Sequence, residues 1–205
     1  MGLVVSVAKF RSADSGRTAP ALPGRKSVII AGNTSQLTAR VQQLLVYGGN
    51  PVRRVVRPED LTHARWAEAR PARAVLCVRL PAAGGRDLRA FRRQLAVQTY
   101  GLALAMSHRA NILVVAEQPA GTDDLLLGHR LEPMLTRMRA DAQQQLASTV
   151  KVNALVVTGR LDESTVAFRT WEAVQGRALP DSDFVVYDDD IRDSSIAALL
   201  TEARS

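Results

Sequence analysis

The stretch KSVIIAGNTSQLTARVQQLL, Lys26 to Leu45, decides how this chain is read. An apolar run, Ser27–Ala31, passes through a short polar turn into a segment with Leu37, Val41, Leu44 and Leu45 on one helical face. Strand, turn and amphipathic helix make the opening βα unit of a nucleotide-binding domain, whose turn cradles phosphate. Such a cradle ordinarily holds three glycines, and this turn holds one, Gly32. The question is whether it is a dinucleotide site or the remains of one.

Outward from that unit the same alternation repeats. Gly48-Gly49 closes the first helix, as a C-terminal glycine does. Strands are expected at Val52–Val56, Ala74–Val78, Asn111–Ala116, Val150–Val157 and Phe184–Tyr187. Helices are expected at Glu59–Ala69, Arg86–Ser107, Leu131–Ser148, Thr165–Val174 and Ile191–Ala203, with a loop over Glu117–Asp123. Short, uniformly apolar strands between helices belong to a parallel sheet covered on both faces. The expectation is an α/β fold, a doubly wound parallel sheet in a single domain over residues 26–205. Residues 1–25 form an N-terminal extension, and its Pro- and Gly-punctuated part, Arg11–Arg25, is expected to be flexible.

Bulk properties narrow the function classes. At 205 residues the chain is long enough to bury a core, and its 46% hydrophobic and 23% charged content is globular. No apolar run reaches membrane-span length, and the opening MGLVVSVAKF lacks the length and cleavage site of a secretory signal. Gly2 with Ser6 fits a myristoylation pattern too loose to carry weight. A cytoplasmic location is therefore expected. Net charge is +7, from 27 Lys+Arg against 20 Asp+Glu. The basic residues are mostly arginines scattered along the chain, without a basic block, which argues against nucleic acid and leaves room for an acidic ligand. The single cysteine, Cys77, excludes an internal disulfide and, inside AVLCV, reads as a buried inert thiol.

Over nearly all of Lys26–Asp188 the chain resembles the short-chain dehydrogenase/reductases, a family of NAD(P)-dependent Rossmann-fold enzymes. TVKVNALVVTG, Thr149–Gly159, and FRRQLAVQTYGLALAMS, Phe91–Ser107, are similar to a strand and a long helix of that family. SVIIAGNTSQLTARV resembles its opening motif, and QGRALPDSDFVVYDD its closing one. The resemblance implies a Rossmann-like fold, but the positions that carry the chemistry depart. The TGxxxGIG turn becomes AGNTSQLT: Gly32 is kept, while Gln36 and Thr38 replace the second and third glycines. Side chains there stand where the backbone must approach the pyrophosphate, so no cofactor is expected, with NADP disfavoured. The helix N-terminus still offers N–H donors for weak anion binding.

The family's Asn-Asn-Ala-Gly becomes Val78-Arg79-Leu80-Pro81, and its helix Asn falls on Gln98. The catalytic Ser is replaced within AEQPAG, Ala116–Gly121, and the Tyr and Lys positions fall on Gly128 and Glu132. The family's acid is a phenol whose pKa an ammonium lowers. A glycine supplies no proton, a glutamate pushes the wrong way, and no tyrosine lies between Tyr100 and Tyr187. The segment that builds the family's substrate lid is also short, so little is left to exclude water. No catalytic residue is assigned.

Other candidates have plainer readings. His63 and Trp66 sit on a surface helix, and His129 with Glu132 lacks a third metal ligand. Asp188-Asp189-Asp190 reads as a strand end followed by capping carboxylates rather than a cation site. What the resemblance leaves is assembly: in this family the two long helices pair with a second subunit as a four-helix bundle. On that basis Leu95, Tyr100, Leu102, Met134, Leu135 and Met138, with Val97 and Leu104, are expected at an interface, although core packing accounts for them equally well.

The leading expectation is a non-catalytic subunit that pairs with an active short-chain dehydrogenase, or with itself, and stabilises it or shapes its site. Acyl-CoA or carrier-linked hydroxyacyl or ketoacyl substrates suit the basic surface. The alternative is an active NADPH-dependent ketoreductase, with Arg53, Arg54 and Arg57 on a 2′-phosphate and Tyr100 or Tyr47 as acid. A third reading is a nucleotide-sensing or scaffold module whose arm, Met1–Phe10, docks by strand addition.

Overall fold

Strands apolar on both faces are stable only with helices above and below them, and the computed structural model has that arrangement. It describes residues 27–56, 71–81, 85–106, 109–119, 125–146, 149–175 and 184–202. The strands are β1 (Val28–Gly32), β2 (Val52–Val55), β3 (Arg73–Arg79), β4 (Arg109–Glu117), β5 (Thr149–Val157) and β6 (Val185–Tyr187). The described helices are α1 (Gln36–Tyr47), α2 (Gly85–Ala105), α3 (Leu125–Leu146), α4 (Glu163–Gln175) and α5 (Ile196–Glu202). The extension over residues 1–25 and the helix expected over Glu59–Ala69 lie outside the described residues, as do His63 and Trp66.

All six strands are parallel, in the order β2-β1-β3-β4-β5-β6. The chain moves outward from β1 in one direction to β2 and in the other to β3 and beyond, which makes this a Rossmann-like doubly wound sheet. Alternate residues of each strand feed two cores. Ile29, Leu76, Ile112, Val114 and Val152 pack under α2 and α3 with Leu95, Leu102, Leu131 and Leu135. Val28, Ile30, Val75, Leu113 and Leu155 pack under α1, α4 and α5 with Leu37, Val41, Leu45, Val166 and Leu200.

Among the boundaries that differ from expectation, three helix starts are worth noting. Helix α1 begins at Gln36, because Ser35 adopts extended backbone and its side chain accepts from Thr38 N at 3.1 Å as an N-cap. Helix α3 begins at Leu125, before Leu131, and runs through Pro133, which sequence alone places in a first turn. Helix α5 starts only at Ile196. Ile191 lies in the preceding turn and is buried there. Ser195 caps α5 by accepting from Ala198 N at 3.1 Å.

Candidate functional site

In a doubly wound sheet, ligands bind beyond the C-terminal strand ends at the point where the winding reverses. Here that point lies between β1 and β3, where Gly32 stands opposite Cys77. Gly32 has φ +89, and a Cβ placed on it would lie 2.1 Å from the Cys77 carbonyl oxygen. Asn33 N donates to that same carbonyl at 2.8 Å. The retained glycine therefore lets the end of β1 close onto β3, a packing role within the chain itself.

The turn that follows is bonded to its own surroundings. The Thr38 hydroxyl, buried under the turn, donates to the Asn33 carbonyl at 3.2 Å and lies 3.0 Å from Ser35 Oγ. Ser35 Oγ in turn donates to Glu117 Oε1 at 2.6 Å. Glu117 ends β4, so its carboxylate reaches back across the end of β3 to the N-terminus of α1. That is where the helix dipole and free N–H groups favour an anion. The anion there is a side chain of this protein. Thr38 is buried beneath the turn, whereas Gln36 is exposed.

Arg54, on β2, closes the other side. Its guanidinium donates to the carbonyls of Gly32 (2.8 Å), Asn33 (2.9 Å), Ile30 (3.2 Å) and Val55 (3.4 Å), and to Thr34 Oγ1 (3.1 Å). Burial lowers its pKa from the ordinary arginine value. Arg54, one of the arginines expected on a 2′-phosphate, is thus bonded to the β1 turn, and Arg57 lies outside the described residues. Cys77, beneath the turn, is buried, and desolvation pushes its thiol up to about 11, although Thr38 and Arg54 pull the other way. A thiol held neutral in this way is a poor nucleophile.

A second anion position lies further along the same edge. Thr158, Gly159 (φ +83) and Arg160 turn their backbone N–H groups toward one carboxylate, that of Asp188, at 3.0, 3.0 and 3.2 Å. The Thr158 hydroxyl donates to its other oxygen at 2.6 Å. Successive N–H groups of this kind form an anion nest, and Asp188, completely buried, fills it. Asp189 pairs with Arg160 and Arg192 at 3.1 and 3.5 Å, and Asp190 accepts from Tyr187 N at 3.0 Å. The three aspartates thus serve the turns around β6. Among the described residues, no group of three or more His, Cys, Asp and Glu is placed to hold a metal ion.

The proton donors proposed for an active enzyme are not assembled here. Tyr47 ends α1, eleven residues and about 16 Å from the N-terminus that faces the cleft. Tyr100 lies fifteen residues into α2, about 22 Å from the end nearest the strand tips. Glu132 is exposed on α3, and Gln98 is buried in α2 with its Oε1 unpartnered.

Leu95, Leu102, Met134, Leu135 and Met138 are buried in the core of the single chain, where α2 and α3 cover the sheet. Tyr100 is only partly exposed. The outer face of α2 instead presents Val97 and Leu104, 61% and 43% exposed, seven residues apart with Gly101 between. Among the described residues, no helix is long and apolar enough to cross a membrane.

Fold and sheet order together define a Rossmann-like α/β domain. The solved structure of BdcA (YjgI) from E. coli is similar in fold, with a TM-score of 0.56 and 12% identity over 79% of this chain and 96% of that one. No protein-family model and no curated protein sequence matches the chain.

Proposed function

We propose that this protein is a non-catalytic member of the short-chain dehydrogenase/reductase type, retained as a subunit that pairs with an active dehydrogenase and stabilises it or shapes its site. The observation that carries this reading is the Glu117–Ser35 bond of 2.6 Å, which puts a carboxylate where a cofactor pyrophosphate would lie. A second negative group in that place repels the first, and Arg54 is already committed to main-chain carbonyls. The surface for pairing is the outer side of α2 and α3, where Val97 and Leu104 on α2 and Thr136 and Ala140 on α3 are exposed. The net charge of +7 suits a partner that handles phosphate-bearing substrates such as acyl-CoA or carrier-linked acyl groups.

The test is native mass spectrometry of the tagged full-length chain captured gently from its own cells. A discrete complex with a second dehydrogenase that has a complete glycine-rich turn and catalytic set is expected, and Leu104→Glu should weaken it. A homodimer carrying the added mass of NADP would overturn the reading.

A further inference from the structure

Charged side chains divide unevenly between the two faces of the sheet. Helices α2 and α3, on one face, carry seven arginines and three carboxylates, so that four units of the chain's net charge of +7 lie on them. Helices α1, α4 and α5, on the other, carry two arginines and three glutamates. Pairing differs in the same sense. Arg40, Arg160, Arg169 and Arg192, around α1, α4 and the turn after β6, are each in an ion pair. Arg89, Arg93, Arg130 and Arg137 are exposed, and among the described residues none of them has an ion pair or a hydrogen bond.

Helical spacing gathers these arginines. Arg89, Arg93, Val97 and Leu104 follow one another at four, four and seven residues, so they share one side of α2, with the arginines toward its start and the exposed aliphatic groups toward its end. On the neighbouring helix α3, Arg130 and Arg137 are two turns apart on one side. Burial and then Glu132 hold the Tyr187 hydroxyl above its ordinary value, so Glu132 faces β6. Arg137 and Arg130 lie roughly 140° and 160° around the helix from Glu132, on the side toward α2. Asp87 and Asp141, the other carboxylates of the two helices, are exposed and pair with none of these arginines.

We propose that this face meets an acidic protein surface, and that its charge selects such a partner over a second copy of the chain. The inference rests on the pairing reading above and names what the partner must present there: carboxylates opposite the arginines and aliphatic groups opposite Val97 and Leu104. Length and make-up decide the class of ligand. Arg89 and Leu104 are fifteen residues apart, about 22 Å along α2, a footprint for a helix rather than for one phosphate. The aliphatic half of the stripe gains from burial against a protein and gains nothing from a sugar-phosphate backbone. Two copies brought together through these faces would set net positive charge against net positive charge, which disfavours self-pairing.

The experiment titrates short poly-L-glutamate into the full-length chain at low salt and follows the backbone amide NMR signals. Saturable shifts are expected at Arg89, Arg93 and Arg137, with none at Gln43 and Arg169 on the opposite face, and they should fade as salt is raised. Arg93→Glu with Arg137→Glu, both at exposed positions, should weaken binding by about tenfold or more. Shifts spread evenly over both faces would overturn the proposal, as would tighter binding to a DNA duplex or to anionic lipid vesicles. So would sedimentation of the native chain at low salt as a dimer that Leu104→Glu dissociates, because the face would then accept its own copy. Failure of the pairing reading is seen separately. A captured dehydrogenase complex that survives Arg93→Glu with Arg137→Glu leaves pairing standing and sinks this inference. If no dehydrogenase is captured, pairing falls, and the glutamate titration still decides whether the face takes an acidic surface.

Discussion

Two carboxylates sit at the C-terminal edge of the same sheet, each in a place built for an anion, and they are held very differently. Asp188 is fully buried and takes three consecutive N–H groups and a hydroxyl from Thr158–Arg160, thirty residues or fewer away in sequence. Glu117 is half-buried and takes one hydroxyl, from Ser35, eighty-two residues away. The first is part of how the chain folds around β6. The second is a light contact that fills a position the fold would otherwise offer to a ligand. The two carboxylates should therefore respond differently to mutation.

The largest effect is expected where occupation depends on backbone contact. Gly32→Ala places a methyl 2.1 Å from the Cys77 carbonyl at φ +89, and thermal unfolding should show a loss of about 4 kcal/mol or more. A loss under 1 kcal/mol would mean the β1 turn is not anchored on β3, and the comparison would break at that point. Asp188→Asn removes the charge from the nest and turns an amide toward N–H donors; a loss of about 2–4 kcal/mol is expected by urea unfolding. If Asp188→Asn costs no more than a change at Glu117, the two carboxylates are not different in kind.

Cys77 sharpens the first region further. Its thiol is raised to about 11 in the folded protein against 9.0 as an ordinary thiol. The folded state therefore holds the proton more tightly, and the stability linked to it is complete below pH 9 and lost as pH rises through about 11. The size is about 3 kcal/mol. Stability measured from pH 8.5 to 11 should fall less steeply in Cys77→Ala than in the native chain. Identical slopes would place the thiol in contact with water. The smallest effect belongs to Glu117→Gln, which keeps an acceptor for Ser35 and should cost about 1 kcal/mol or less.

The fold was legible because parallel strands buried on both faces must be apolar throughout. VIIAG, AVLCV, ILVVA and VNALVV announce β1, β3, β4 and β5 without reference to anything distant. The outer-versus-inner choice on the long helices was not legible. A helix such as QLAVQTYGLALAM carries two apolar stripes, and only the sheet decides that Leu95 and Leu102 face inward while Val97 and Leu104 face out. That the turn holds one glycine, with Gln36 and Thr38 after it, was visible in the sequence, but the bonds made around it were not. Arg54 looked like a phosphate ligand because its position matches one, and its five bonds go to groups that sequence leaves unplaced. The link from Ser35 to Glu117 joins two strand ends that become neighbours only once the winding is known. Ser35 carried the local signal, a hydroxyl residue just ahead of an amphipathic helix.

The most direct test is calorimetric titration of NADPH into the full-length chain at neutral pH and low salt, where phosphate binding is strongest. With Glu117 holding the anion position and Arg54 turned onto carbonyls, no saturable binding is predicted up to millimolar cofactor. Saturable binding at micromolar NADPH would contradict the account, since the carboxylate would then have to leave Ser35 at little cost.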